Sequence, residues 1–207
     1  MTTFIKICGL SEQRHIEAAI KGGADAIGFV AYPPSPRFVT PGEVKELCSL
    51  IPNNILRVLV CVNMSQTEIQ AYLDAGINCL QFHGNESADD AALYDCEIWR
   101  ALRLKDKSQF EQEWSFPCSK FVVDSAPKNA SLPGGTGHIA DWNLAHDFIQ
   151  GTETPVLIAG GIKAHNFADA LNQTGAAGLD LSSGVEDSPG QKSLTKIQEL
   201  MQAIKRY

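Results

Sequence analysis

The sequence lacks the patterns that mark several broad classes of protein. Its six cysteines include no C-x-x-C pair, which excludes the common zinc ribbons and dithiol redox centres. Its five histidines show neither H-x-H nor H-E-x-x-H spacing. Neither G-x-G-x-x-G nor a Walker sequence occurs, so a nucleotide fingerprint is absent. We therefore expect no metal and no cofactor.

Basic charge and long apolar runs are also scarce. The chain carries 17 Lys and Arg against 24 Asp and Glu, a net charge of −7, and this excess of acid disfavours nonspecific binding to nucleic acid or an anionic membrane. No run approaches the ~20 apolar residues of a membrane span, and the N-terminus has no secretory pattern. These features predict a cytoplasmic protein with reduced thiols that acts on a small molecule.

Short apolar runs alternate with segments of helical periodicity along the whole chain. The predicted strands are 4–8, 26–30, 56–62, 79–82, 98–102, 120–124, 155–159 and 178–181. The predicted helices are 11–22, 41–50, 66–75, 87–94, 108–113, 142–149, 164–171 and 193–205. Ser11 is the expected N-cap of the first helix, because its hydroxyl is suited to accept a backbone N–H. The pattern predicts eight βα units.

Strands separated by helices pair in parallel, and eight units form either a closed barrel or a large doubly wound sheet. Polar or glycine-rich signals follow the strands at several points, and in a closed barrel all of these ends meet on one face. They are Cys8-Gly9, Gly84, Asp124, Gly160-Gly161 and Ser182-Ser183-Gly184. This placement favours a single-domain (β/α)8 TIM barrel over residues 1–207, an α/β fold with compact loops.

Glycines are concentrated in the last three βα loops. Backbone N–H groups approach an anion closely at glycine, and in barrels the loops after strands 7 and 8 commonly bind phosphate. A tight turn explains any one of these motifs alone. The prediction of a monophosphate site therefore depends on all three loops meeting at one end of the barrel. The predicted phosphate ligands are Gly135, Gly137, Gly160, Gly161, Ser182, Ser183 and Gly184.

Two residues at strand ends are candidates for proton transfer. Cys8 ends the first strand on the same face as Lys6, and a nearby cation or turn amides favour the thiolate form. Asp124 ends the apolar run 121–123, where a carboxylate is either satisfied by hydrogen bonds or used. A buried, inert thiol is the alternative for Cys8. In a barrel the two residues can flank a substrate from opposite sides, which suits removal of a proton from one atom and delivery of a proton to another.

Three further residues lie at predicted strand ends or in the adjoining loops. Arg37 suits a carboxylate because of its planar fork, although it also fits an ordinary surface arginine. Asp180 is equally suited to structural anchoring and to binding a substrate hydroxyl. His83 ends the fourth strand and is expected to be a hydrogen-bonding residue at the substrate rather than a catalyst.

The motifs together resemble those of a known family, phosphoribosylanthranilate isomerase of tryptophan biosynthesis. The K-I-C-G string at the start and the D-x-S-S-G-V-E string near the end, in this order and at this chain length, are the specific part of the resemblance. The matching segments are 6–9, 23–29, 35–37, 81–84, 134–137, 141–142, 159–161 and 180–186.

The resemblance implies a cofactor-independent Amadori rearrangement. Asp124 would protonate the furanose ring oxygen of N-(5-phosphoribosyl)anthranilate as the ring opens, and Cys8 would remove the C2′ proton. Arg37 would hold the anthranilate carboxylate. The amides around Gly160-Gly161 and Ser182-Ser183 would bind the phosphate, in agreement with the glycine pattern.

Two alternatives remain at this level. The related isomerase of histidine biosynthesis has an aspartate at the end of strand 1, where this chain has Cys8, and needs a second phosphate site that no early glycine-rich pair supplies. A catalytically dead barrel used as a binding module would have lost Cys8 or Asp124, and both are present. No apolar helix face is left over, so we expect a monomer.

Overall fold

A computed structural model of the chain describes residues 3–124 and 141–207. Its eight main strands form a closed barrel in which each strand pairs in parallel with the next along the chain. The barrel closes where β1 (Phe4–Cys8) pairs with β8 (Gly178–Leu181), with Ile5 opposite Leu179 and Ile7 opposite Leu181. The predicted (β/α)8 barrel is confirmed, and the open doubly wound sheet is excluded.

The strands lie within one or two residues of the predicted ranges, because β-branched and apolar runs suit a strand that is buried on both faces. Those between β1 and β8 are β2 (Ala26–Val30), β3 (Leu56–Cys61), β4 (Cys79–Phe82), β5 (Glu97–Leu102), β6 (Lys120–Val123) and β7 (Val156–Ile158).

Helices follow the strands and cover the outside of the barrel. They are α1 (Gln13–Gly22), α2 (Pro41–Cys48), α3 (Gln66–Asp74), α4 (Ala88–Ala91), α5 (Phe110–Trp114), α6 (Trp142–Gln150), α7 (Phe167–Thr174) and α8 (Leu194–Lys205). Short 3-10 turns precede α5 at Lys107–Gln109 and follow β8 at Ser183–Val185. Thr40 and Ser65 begin α2 and α3 with capping boxes, whose reciprocal hydrogen bonds satisfy two backbone donors each.

The core has two parts because strand residues alternate between the two faces of the barrel wall. One set packs outward against the helices, and buried residues such as Ile27, Leu59 and Phe121 belong to it. The other set fills the barrel interior, where Val58, Trp99 and other side chains form a smaller cluster. Trp99 is wholly buried and meets Phe4 edge-on, which closes the amino-terminal end of the barrel.

The structure differs from the sequence prediction at two helices. Ser11 is not the N-cap of α1: Glu12 occupies that position and makes no side-chain cap hydrogen bond, so this prediction was wrong. The N-cap lies one residue later than predicted, and the first helical hydrogen bonds run to the Glu12 carbonyl. Helix α4 is half as long as predicted, because Leu93 turns outward and is 56% exposed instead of continuing the buried face.

A hairpin that was not predicted follows β8. Strand β9 (Glu186–Ser188) pairs antiparallel with β10 (Gln191–Lys192) before α8 begins. Its sequence is polar and lacks the apolar alternation that indicates a strand. In the part of the chain that the structure describes, no helix has the length and hydropathy to cross a membrane.

Candidate active site

A cavity opens at the carboxyl ends of the barrel strands. In (β/α)8 enzymes this face carries the catalytic residues. Side chains from the barrel interior form its floor, and the loops that follow the strands form its walls. The lining residues are Cys8, Val30, Ser35, Arg37, Val60, Gln81, His83, Val122, Asp124, Ala159, Gly160, Gly161, Ile162, Asp180, Ser182, Ser183 and Gly184.

This cavity brings together residues that the sequence analysis selected from distant segments. Of the predicted site residues, all that the structure describes line it: Cys8, Arg37, His83, Asp124, Gly160, Gly161, Asp180, Ser182, Ser183 and Gly184. The remaining two, Gly135 and Gly137, lie outside the described residues. Cys8 shows both features weighed from the sequence: its side chain is buried, and it borders the cavity.

A buried lysine lies directly beside the Cys8 thiol. Lys6 has no exposed surface, and its Nζ atom is 3.0 Å from each carboxylate oxygen of Asp180. An unpaired ammonium in this position would be strongly unfavourable, so the ion pair is what allows a cation inside the barrel. Burial alone lowers the pKa of Lys6, but Asp180 and Cys8 outweigh it and raise the pKa to about 12. Lys6 is therefore a permanent cation next to the thiol.

The environment of Cys8 contains opposing influences on its acidity. Burial raises the pKa of the thiol above its ordinary value of 9.0, while Lys6 lowers it and Asp180 raises it again. Lys192 contributes a smaller lowering effect. The net pKa is raised, so the thiol is mostly protonated at neutral pH and the base form is a minority species.

Gly28 on β2 makes room for the pair formed by Lys6 and Cys8. A Cβ atom at position 28 would lie 2.8 Å from Cys8 Sγ and 2.9 Å from Lys6 Cε, closer than atoms approach without displacement. The register of the barrel sets this contact, since Cys8 is directly opposite Gly28. Glycine is required here by packing, and the sequence alone does not distinguish it from a glycine in a turn.

Asp124 lies across the cavity from Cys8. It directly follows β6, and its backbone N–H donates to the Leu102 carbonyl at 2.9 Å, which continues the β5–β6 pairing to the end of the strand. The side chain is buried, with 8% exposed. Strands β1 and β6 are separated by β7 and β8 in the closed barrel. A ligand in the cavity is therefore flanked by a thiol on one side and a carboxyl group on the other.

The loops after β7 and β8 meet at one side of the cavity. Gly160 and Gly161 both have positive φ, 81° and 65°, a backbone conformation that favours glycine. A Cβ atom at Gly184 would lie 1.7 Å from the Ile162 carbonyl oxygen, so the two loops are in direct contact. Among the described residues, the backbone N–H groups of Gly160, Gly161 and Ser182 have no hydrogen-bond acceptor. Open donors at the cavity wall suit an anion.

Arg37, in the loop after β2, is held in a buried ion pair. Its Nε atom donates to Glu186 Oε1 at 2.7 Å and its Nη2 atom to Oε2 at 2.6 Å. The prediction from sequence placed Arg37 at the site but did not anticipate this partner. Burial lowers the pKa of the guanidinium, but Glu186 outweighs it, so the pKa is raised and the positive charge is permanent.

His83 and Gln81 point from β4 and its carboxyl end into the cavity. Burial, and then Arg103, Lys6 and Arg100, lower the pKa of His83 to about 3, so the imidazole is neutral at physiological pH. Its Nε2 atom and the Gln81 Oε1 atom are buried and have no hydrogen-bond partner among the described residues. Neutral groups of this kind suit a ligand with hydroxyl groups.

Four residues at or around the cavity were missed by the sequence analysis: Gly28, Gln81, Glu186 and Lys192. Gln81 carried a usable signal, because it stands two residues before His83 on the same strand and shares its face. Glu186 was quoted as part of a motif without a role. Lys192 gave no signal, since lysine is rarely buried and its neighbours are polar.

No group of His, Cys, Asp and Glu side chains that could hold a metal ion is found in residues 3–124 and 141–207. The described polar groups at the cavity are instead a thiol, two carboxyl groups, three hydroxyls, an imidazole, an amide and a guanidinium. Such groups move protons and bind anions without an added cofactor.

Comparison with known proteins agrees with this arrangement. A family model described as N-(5′-phosphoribosyl)anthranilate (PRA) isomerase matches residues 5–203. A relative from Synechococcus elongatus, named N-(5′-phosphoribosyl)anthranilate isomerase, is 38% identical over 218 residues, and the match covers 98% of this chain and 96% of the relative.

Two solved structures share the fold. One is phosphoribosyl anthranilate isomerase in complex with reduced 1-(o-carboxyphenylamino)-1-deoxyribulose 5-phosphate, with a TM-score of 0.85, 23% identity and full coverage of both chains. The other contains monomers generated from the dimeric enzyme of Thermotoga maritima, with a TM-score of 0.85, 23% identity and full coverage of both chains. From the family match and the identity over nearly its whole length, the chain belongs to the N-(5′-phosphoribosyl)anthranilate isomerase family.

Proposed function

We propose that this protein converts N-(5-phospho-β-D-ribosyl)anthranilate to 1-(2-carboxyphenylamino)-1-deoxy-D-ribulose 5-phosphate in L-tryptophan biosynthesis. The observation that carries the proposal is that Cys8, Asp124 and Arg37 line one cavity with the two contacting loops after β7 and β8. A base, an acid, a carboxylate ligand and an anion site are the groups that this rearrangement needs, and no cofactor takes part.

The reaction proceeds by two proton transfers at opposite sides of the sugar. Asp124 gives a proton to the furanose ring oxygen as the C1′–O bond breaks, which leaves a protonated Schiff base between C1′ and the anthranilate nitrogen. Cys8, as thiolate, then removes the proton from C2′, and the electron pair flows to the nitrogen to give an enolamine. Tautomerisation delivers a proton to C1′ and produces the C2′ ketone. The positions of Cys8 and Asp124 across the cavity support these roles.

The remaining residues bind the two anionic ends of the substrate and its hydroxyl groups. Arg37 holds the anthranilate carboxylate, and the open N–H groups of Gly160, Gly161 and Ser182, with Ser183 and Gly184, bind the phosphate. Asp180 and His83 border the sugar. Asp180 also anchors Lys6, so the two roles weighed for it from sequence are compatible.

The direct test is fluorescence. Phosphoribosylanthranilate fluoresces through its anthranilate group, and rearrangement followed as decay of that signal measures turnover. We expect purified protein to consume the compound at a rate proportional to enzyme concentration, with the carboxyphenylamino-deoxyribulose phosphate as product by mass spectrometry and NMR. A stable signal with folded protein would contradict the proposed activity.

Replacing Arg37 by alanine is expected to raise KM by about 10- to 100-fold with a smaller change in kcat, because a charge-assisted bond to the carboxylate contributes in the ground state as well as in the transition state. Arg14→Ala is the matched control, since that arginine is 63% exposed on α1 and remote from the cavity. Steady-state kinetics separate the two constants. An unchanged KM in Arg37→Ala would argue against contact with the carboxylate.

Lys6→Met is expected to move the rising limb of the kcat/KM profile to higher pH. Lys6 lowers the pKa of Cys8 against the effect of burial, so its removal leaves the thiol less acidic and the thiolate scarcer at neutral pH. We expect kcat/KM at pH 7 to fall roughly tenfold, the usual order for loss of one adjacent charge. Alkylation of Cys8 by iodoacetamide, followed by peptide mass spectrometry, is expected to slow in parallel.

The control is Lys120→Met, which removes a lysine paired with Glu97 at the start of β6, at the other end of the barrel. That variant should lose some stability and keep the pH profile. Thermal melts identify a Lys6→Met protein that has lost its fold. A folded Lys6→Met enzyme with the wild-type rising limb would show that Lys6 does not tune the thiol.

We also propose that the protein is a monomer. The large apolar side chains with the greatest exposure in the described part of the chain are few and come from separate segments: Phe38, Leu50, Leu93 and Tyr207. Tyr207 itself packs on Phe167 and bonds to Asn172. Monomers usually lack a large contiguous apolar patch. Light scattering on a sizing column is expected to give the 22.4 kDa of one chain; twice that mass would contradict a monomer.

We also propose that the protein is located in the cytoplasm. All six cysteines are free thiols, and disulfides are rare in that reducing compartment. Fractionation of expressing cells, with detection by antibody, tests the assignment.

A further inference from the structure

The hairpin β9–β10 lies over the loop that carries Arg37. Gly190, at the tip of the hairpin, is so close to this loop that a Cβ atom there would be 2.5 Å from the Pro36 carbonyl oxygen. The base of the hairpin is closed by a hydrogen bond from the Ser193 N–H to the Val185 carbonyl at 2.9 Å, and Lys192 Nζ donates to the carbonyl of Ser182, directly after β8, at 3.1 Å. The polar hairpin therefore packs directly against the loop that carries Arg37.

The contact between hairpin and loop is a buried ionic triad: Arg37, Glu186 and Lys192. Glu186 receives both hydrogen bonds of the guanidinium on its two oxygens, at 2.7 and 2.6 Å. Lys192 Nζ lies 2.6 Å from Glu186 Oε1, and it also donates to the Ser182 carbonyl at 3.1 Å. The three side chains are between 1% and 8% exposed. The three residues therefore form a buried, hydrogen-bonded charge cluster, which differs from an exposed ion pair on the surface.

The geometry leaves one edge of the guanidinium available. A guanidinium carries more N–H donors than one carboxylate occupies. Glu186 takes the edge formed by Nε and Nη2, and no described residue accepts from Nη1. The side chain borders the cavity together with Cys8 and Asp124. The Nη1–Nη2 edge is thus the one left for a second carboxylate.

The charges of the triad favour the same ligand. By formal charge the triad holds two buried cations and one buried anion; burial lowers the pKa of Lys192 and Glu186 acts against that effect. The triad on its own therefore has one positive charge in excess. Burial raises the pKa of Glu186, but its bonds to Arg37 and Lys192 outweigh it and the pKa is lowered, which keeps the carboxylate ionised. A ligand with one carboxylate at this position completes the charge balance of the triad.

We propose that Glu186 is a positioning residue that sets substrate specificity: it turns Arg37 so that the open edge of the guanidinium meets the carboxylate on the aromatic ring, with Lys192 fixing Glu186 in turn. The inference rests on the proposed function, because it takes the aromatic carboxylate as the ligand of Arg37. Without Glu186, no hydrogen bond of the triad holds the flexible Arg37 side chain in this orientation. The cations of Arg37 and Lys192 are then left side by side without the carboxylate between them.

The test compares two inhibitors, reduced 1-(o-carboxyphenylamino)-1-deoxyribulose 5-phosphate and the same compound without the carboxylate. Calorimetry and inhibition kinetics measure their affinity for wild type, Glu186→Gln, Arg37→Ala and the double variant. We expect Glu186→Gln to bind the carboxylated compound about 10- to 100-fold more weakly and the other compound unchanged. Adding Glu186→Gln to Arg37→Ala should cause little further loss, because Glu186 acts through Arg37.

Glu86→Gln is the matched control, since Glu86 is also a buried carboxylate paired with an arginine, Arg100, and does not line the cavity. It should lower stability and leave both affinities unchanged. Equal losses for both inhibitors in folded Glu186→Gln, or losses that add in the double variant, would overturn the inference. Absence of turnover by the wild type would instead refute the proposed function, and the two failures are therefore distinct.

Discussion

Cys8→Ser is expected to lower kcat by roughly 10²–10⁴-fold, the usual contribution of a general base, while KM changes little. Serine keeps the size and shape of the side chain, but its hydroxyl is far less acidic than a thiol and forms no useful base at neutral pH. The step affected is removal of the C2′ proton, so this step becomes rate-limiting. With substrate deuterated at C2′, kcat of the variant is expected to fall further.

Cys96→Ser is the control for this variant, because Cys96 lies only partly buried and away from the cavity. It should leave kcat and the isotope effect as in the wild type. Near wild-type turnover in folded Cys8→Ser would falsify the role of Cys8 as the base.

Asp124→Asn is expected to reduce kcat by a similar factor of roughly 10²–10⁴ through a different step. An amide is isosteric with the carboxyl group but cannot give up a proton to the furanose ring oxygen, so ring opening is slowed. Ring opening precedes removal of the C2′ proton, and deuterium at C2′ should therefore have no effect on kcat of this variant. The opposite isotope signatures of the two variants separate acid from base.

Asp147→Asn is a suitable control, since that aspartate forms an exposed ion pair with Lys107 outside the cavity. If deuteration at C2′ slowed Asp124→Asn as strongly as Cys8→Ser, the two residues would act on the same proton and the assignment of Asp124 to ring opening would be wrong.

The barrel could be predicted because its strands are local features. Runs such as 26–30 and 178–181 have the predicted bounds in the structure, since apolar residues in short blocks between glycines and polar loops fit a strand buried on both faces. Helix ends were less predictable. Ser11 has the preferred chemistry of a cap, but the N-cap is the next residue, Glu12, and α1 starts at Gln13. Backbone geometry, rather than residue type, decides such ends.

The site was partly predictable for a similar reason. Cys8 and Asp124 stand at the ends of predicted strands, and the parallel barrel brings all such ends to one face. The hairpin β9–β10 was missed because Glu186 and Lys192 look like surface residues. Their burial depends on each other and on Arg37, which is 149 residues away from Glu186. No pattern within a short stretch of sequence predicts an ion pair between residues so far apart in the chain.

The sequence by itself determined the alternation of strands and helices, the residues at the strand ends and, through its motifs, the family. These depend on the order of residue types along a short stretch of chain. The tertiary structure decided which charges meet: Lys6 with Asp180 beside the Cys8 thiol, and Arg37 with Glu186 at the cavity wall. Burial strengthens the attraction within each pair and makes an unpaired charge strongly unfavourable. These residues become buried only when the barrel has closed.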